Sequence, residues 1–148
     1  MITDTLKQLF KRDLNKLKAE IAQYQNEDRI WLIEQSIANS AGNLCLHLIG
    51  NLNAYIGVGL ANTGYIRQRD LEFSLKDIPI PELILQIEKT MAVVDMGLTN
   101  LTENDLAKDF PIQIWEKPME MEYTLVHLLS HLNYHLGQVN YHRRLLDV

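Results

Sequence analysis

The sequence predicts an all-α fold, a four-helix bundle, on three observations. Four segments of about 20 residues carry apolar side chains at the three-and-four spacing of a helix face. The one stretch that alternates like a strand, "FPIQIWEKPM", contains two prolines and reads as an extended connection. The last helix also gathers four of the five histidines.

The first helix is expected over residues 4 to 24, where Leu6, Phe10, Leu14, Leu17, Ile21 and Tyr24 form one stripe. The second, about 36 to 61, opens at "SIANSAGN", with Ser36 or Ser40 as cap, and stops at the glycine of "ANTG". It is apolar on nearly every side and so belongs at the centre. The third begins after "IPIP", with Pro81 in the first turn, and places Ile84, Ile87, Met91, Val94, Leu98 and Leu101 on one stripe. Thr102 with Asp105 then suggests a short capped turn. The fourth helix runs from about 121 to 146.

Residues 62 to 80, a connection of 19 residues without a good helical pattern, are enough to run back along a helix of roughly 30 Å. Helices two and three are then parallel, in up-down-down-up order. There is no internal repeat, and a single domain over residues 1 to 148 is expected.

Composition narrows the function classes. A net charge of −5 opposes binding to the phosphate backbone of nucleic acid. The lone Cys45 permits neither an internal disulfide nor a thiolate zinc site and suits a reducing cytoplasm. The opening "MITDTLKQLFKRDLNKLK" lacks the continuous apolar core of a signal peptide, so a cytoplasmic protein is expected. "NLCLHLIGNLNAYIGVGLA" approaches the length of a membrane span, but His47, Asn51 and Asn53 would be costly in hydrocarbon, and a core helix fits better.

In "TLVHLLSHLNYHLGQVNYHRRLL", residues four apart stack on one helix face, so His127, His131 and His135 form a ladder that Gln138 and His142 continue. Two imidazoles at this spacing point at one spot and can share a divalent ion. The fifth histidine, His47, sits mid-way along the apolar second helix, where an unpartnered ring is costly. Placed opposite the ladder it would complete a triad. Two plainer readings stand beside this one. His47 can be a buried ring bonded to a carbonyl, and His131 and His135 can face solvent, although the neighbouring Leu128, Leu132 and Leu136 argue that their side turns inward. His127 and His142, near the ends of the stripe, suit the second layer, the mouth of the site or the surface. Asn51, four residues after His47, and Gln138, three after His135, are candidates to accept a ring N–H, or else they satisfy backbone groups or meet solvent. Cys45 lies about 200° round the helix from His47 and reads as packing.

Other motifs lack their context. "GVGLAN" is a partial dinucleotide fingerprint that follows a helix, "HLLSH" lacks the glutamate of a zincin, and no E-x-x-H pair provides for a di-iron centre.

"HLLSHLNYHLGQVNYHRRLL", with "NLCLHLIGNLNAYI" upstream, resembles the DinB-like superfamily of metalloenzymes across nearly the whole chain. The resemblance implies an up-down-down-up four-helix bundle, often dimeric, with nickel or zinc held by three histidines. Carried over, these are His47, His131 and His135, with Gly137 and Gln138 completing the signature; His127 also resembles a frequent family histidine. "YIRQRDLEFS", residues 65 to 74, looks like an arginine-and-glutamate segment of one branch and receives no role. The family name implies no DNA binding. Some relatives are thiol-dependent transferases or isomerases, so the expectation is a metal-dependent thiol S-transferase or hydrolase, acting with a low-molecular-weight thiol or another small molecule, as a homodimer. No carboxylate near the triad in sequence stands out as a base, which leaves proton handling to a metal-bound species or to His127. The alternative is a non-catalytic metal-binding stress-response or dimerisation module.

Overall fold

Each long apolar stripe forms a helix and turns it toward the core, although in the third stripe Leu101 lies past the end of the helix and Ile84 and Met91 are only half-buried. The computed structural model describes residues 1–148. Helix α1, Ile2–Ala22, buries Leu6, Phe10, Leu14, Leu17 and Ile21. Tyr24 lies just past its end and is buried too. A 3-10 turn at Glu27–Trp31, not apparent from periodicity, then tucks Ile30 and Trp31 into the core. The Trp31 ring lies where a side chain on Gly42 would sit, so that position must be glycine for the ring to dock.

Ser40, rather than Ser36, caps α2, Ala41–Leu52, by accepting the Asn43 N–H at 3.2 Å. Residues 36 to 40 therefore stay outside the helix. A π turn at Asn53–Gly57 carries α2 into α3, Val58–Ala61. Within that turn Asn53 donates to its own helix at the Ile49 carbonyl, 2.8 Å away, and to Thr90 across the interface at 3.0 Å. The rod ends on Asn62 in the left-handed conformation, φ 53° and ψ 42°, instead of on Gly64. Asn tolerates that conformation because its short polar side chain satisfies local backbone. Ala41–Ala61 is apolar enough to cross a membrane, but 61% of its most apolar window is buried inside the fold, as in a core helix.

The connection from 62 to 80 contains a helix the sequence reading missed, α4, Arg69–Ser74. Six residues make fewer than two turns, too short for a periodic signal. Asn43 anchors it from α2 by donating to the Glu72 and Leu75 carbonyls at 3.0 and 2.9 Å. Helix α5, Ile80–Thr99, has Pro81 in its first turn, and a capping box between Thr102 and Asp105 opens the 3-10 turn Glu103–Ala107. Residues 108 to 120 make one isolated bridge, Asp109 to Glu120, and no strand. Helix α6 spans Met121–Leu146.

Helix α1 packs on α5 and α6, and the α2–α3 rod packs on the same two helices. Lys7 pairs with Asp95 and Lys18 with Glu88, so α1 and α5 run in opposite directions. Asp13 meets Asn133 and Glu20 meets Arg143, so α1 and α6 run in the same direction. Asn53 meets Thr90, and Ile56 and Leu60 meet Gly97, so the rod runs with α5. One core of 28 buried apolar residues joins all of them.

Phe10 is fully buried between these helices. Phe10→Ala should cost about 3–5 kcal/mol of unfolding free energy in urea titrations, with the slope unchanged.

Candidate metal centre

Three imidazoles meet between α2 and α6. The four-residue spacing puts His131 and His135 on one face, with ring centroids 4.6 Å apart. His47 reaches them from α2 at 5.0 and 5.3 Å between centroids. One nitrogen from each ring lies within 4.8 Å of the others, close enough for the three to bind a metal ion. His47 is buried, while His131 and His135 are partly exposed.

The outer nitrogens determine which inner ones are available. His47 Nδ1 lies 3.0 Å from Glu72 Oε1; the carboxylate accepts, so this nitrogen carries the proton and leaves the Nε2 lone pair free. His135 Nδ1 lies 2.7 Å from Gln138 Oε1 and by the same argument leaves its Nε2 free. His131 differs. Its Nε2 sits 3.1 Å from His47 Nε2, and since the latter is an acceptor, His131 must donate. His131 Nδ1 is then an unprotonated, buried atom with no hydrogen-bond partner. His135 thus offers a free lone pair as it stands, His47 offers the one that accepts from His131, and His131 offers one by moving its proton from Nε2 to Nδ1, which also releases His47.

Glu72 explains why His47 is tolerated in the core. It is only 6% exposed, and Arg67 grips its carboxylate at two points, Nε to Oε2 at 2.9 Å and Nη2 to Oε1 at 3.0 Å. The carboxylate fits because Gly50, one turn along α2 from His47, has no side chain in the way; a Cβ there would collide with it. Phe73, next on α4, covers the His47 ring at 4.9 Å between centroids. Neither Arg67 nor Glu72 was assigned a role from the sequence. Their one signal was position, since Glu72 stands between Leu71 and Phe73 inside "YIRQRDLEFS".

The remaining candidates have separate places. His127 is exposed, edge-on to Trp115 at 4.9 Å, outside the triad. His142 is buried, accepting from the Tyr24 hydroxyl at 2.6 Å and donating to the Leu32 carbonyl at 2.8 Å, which ties the end of α6 to the segment that follows α1. Asn51 is buried, but its Oδ1 has no partner, and the His47 N–H goes to Glu72. Cys45 is fully buried, and burial pushes its thiol up to about 12, which removes it as a nucleophile at neutral pH. A cleft of about 610 Å³ opens beside His135 and Gln138.

Burial, followed by the neighbouring His135 and His47, pushes His131 down to about 4. Burial also lowers His47, with Glu72 acting in the opposite direction. At neutral pH these rings are uncharged, as ligands for a cation must be. The donor set of three imidazole nitrogens, two with oriented N–H groups, fits a metal ion.

A family model described as "Protein of unknown function (DUF1572)" matches residues 2–147, and the chain belongs to that family. No curated protein matches the chain.

The lowered histidines make stability pH-dependent. Between His131's ordinary 6.5 and its folded value of about 4, the unfolded chain binds a proton that the folded chain refuses. That contribution is complete above the ordinary value and is lost as pH falls through the interval. The urea midpoint of chelator-treated protein should therefore drop from pH 7 to pH 5, with a shallower slope in His131→Gln. A midpoint independent of pH over that range would contradict the buried, uncharged rings.

Proposed function

We propose that this member of the family is a DinB-like metal-dependent enzyme, a thiol S-transferase or hydrolase acting on a small molecule. His47, His131 and His135 hold a divalent ion, nickel or zinc. The observation that carries the reading is the convergence of three ring nitrogens, two of them with their outer N–H groups already fixed by Glu72 and Gln138. Helix directions support the up-down-down-up four-helix bundle that goes with this assignment, since α1 opposes α5, α6 follows α1, and the rod follows α5.

A bound divalent ion supplies Lewis-acid activation of a thiol or of water at neutral pH. The chain's residues do the rest. Glu72 orients His47, Arg67 compensates the charge of Glu72, and Gln138 orients His135. His127, one turn before His131 and exposed, is the side chain available to exchange protons with solvent. The cleft at His135 supports a site that small molecules reach, rather than a closed structural one.

His131→Ala should lose most bound metal, by elemental analysis of untagged protein, while circular dichroism stays helical; equal metal content in variant and parent would sink the assignment. Glu72→Gln and Gln138→Leu should each weaken zinc affinity by roughly 10 to 100-fold in competition titrations with a chelating dye. A conjugation screen with low-molecular-weight thiols on nickel- and zinc-loaded protein tests turnover, and loss of any activity in His131→Ala ties it to the triad.

A further inference from the structure

The cleft beside His135 has walls whose chemistry selects an occupant. Its volume, about 610 Å³, falls within the roughly 300–1,000 Å³ of small-molecule sites. One wall is the connection over residues 34 to 39, and the other is the C-terminal half of α6. Ile37, Leu44, Leu145 and Leu146 make the surface largely apolar, and the Tyr134 and Tyr141 side chains line it as well. No lysine or arginine lines the cleft, and its one acidic residue is Glu34. An anion entering there would lose its hydration and find no lysine or arginine in return.

Both walls are braced before any ligand arrives. His142, which lines the cleft, is held at both ring nitrogens by Tyr24 and the Leu32 carbonyl. Gln35 takes a left-handed conformation, φ 57°, that turns the connection sharply. At one end the cleft meets Gln138, and the same side chain accepts the His135 N–H at 2.7 Å. A ligand lying in the cleft therefore touches the group that orients a metal-binding ring.

We infer that this cleft binds a neutral, largely apolar small molecule whose polar end reaches Gln138 and His135, and that this molecule is the second substrate of the reaction. The first half of the inference stands on the cleft alone; the second rests on the metal-dependent reading above. Occupancy of the cleft and of the triad are then linked, because both ligands act on the orientation of His135 through Gln138.

The test is fluorescence titration of the full chain with N-phenyl-1-naphthylamine, a neutral apolar probe, and with its anionic relative 1-anilinonaphthalene-8-sulfonate. The neutral probe should bind one-to-one and saturably, at least about tenfold more tightly than the anion. Ala38→Trp, which fills the cleft from its exposed wall, and Leu145→Glu, which charges it, should each weaken the neutral probe by about tenfold while thermal midpoints stay put. Unchanged probe affinity in both variants, or equal affinity for the anion, would overturn the assignment. So would an affinity that falls as protein concentration rises, since a second copy of the chain would then be filling the cleft. Saturating zinc should shift the neutral probe's affinity by about fivefold in the parent and leave it unmoved in Gln138→Ala. Zinc that binds without shifting the parent overturns the co-substrate role. A parent that binds the probe in the cleft but takes up no zinc refutes the metal-dependent reading and leaves the cleft assignment standing.

Discussion

A single buried carboxylate holds the site together. Glu72 lies against α2 with almost no exposure, and a charge in that position persists only if it is paired and hydrogen-bonded. Arg67 supplies the countercharge at two points and His47 supplies a third bond. These bonds seat α4 on α2, and Asn43 completes the docking through two backbone carbonyls. Gly50 makes the close approach possible. Removing any one partner leaves a buried charge or a buried ring without compensation, so the short helix, the arginine and the central histidine stand or fall as a unit.

Helix α6 serves two purposes with two of its faces. Leu125, Leu128, Leu132 and Val139 enter the core, which fixes how the helix is rotated and so aims His131 and His135 at α2. Polar links from other positions refine that rotation. Asn133, between the two histidines, donates to the buried Asp13 of α1 at 2.6 Å, and Asn140 and Arg143 reach Glu20 at 2.7 Å each. Such links add little net stability, and Asp13 keeps Arg12 as a partner at 2.8 Å whatever α6 does, but their geometry is met in one rotation of the helix and not in its neighbours.

The triad's energetics follow from crowding three bases at a half-buried interface. Burial costs a charged ring most, and a proton on a neighbouring ring adds repulsion, so His131 and His47 remain neutral where isolated histidines would begin to charge. His131 is the ring with an unpartnered outer nitrogen, while its two neighbours are oriented by side chains.

Local patterning carried a large part of this description. Met121–Leu146 is the expected fourth helix to the residue, the Thr102–Asp105 cap is where the side chains imply it, and the i, i+4 pairing of His131 with His135 follows from helix geometry alone. Periodicity reports which face of a segment avoids water, and that is a property of the segment itself. The partner of His47 is of another kind. Glu72 lies 25 residues away on a helix of six, and neither its burial nor its bond to the ring has any local signature. The π turn, the tautomers and the cleft are likewise products of packing, because each depends on distances between elements that come into being only when the helices meet.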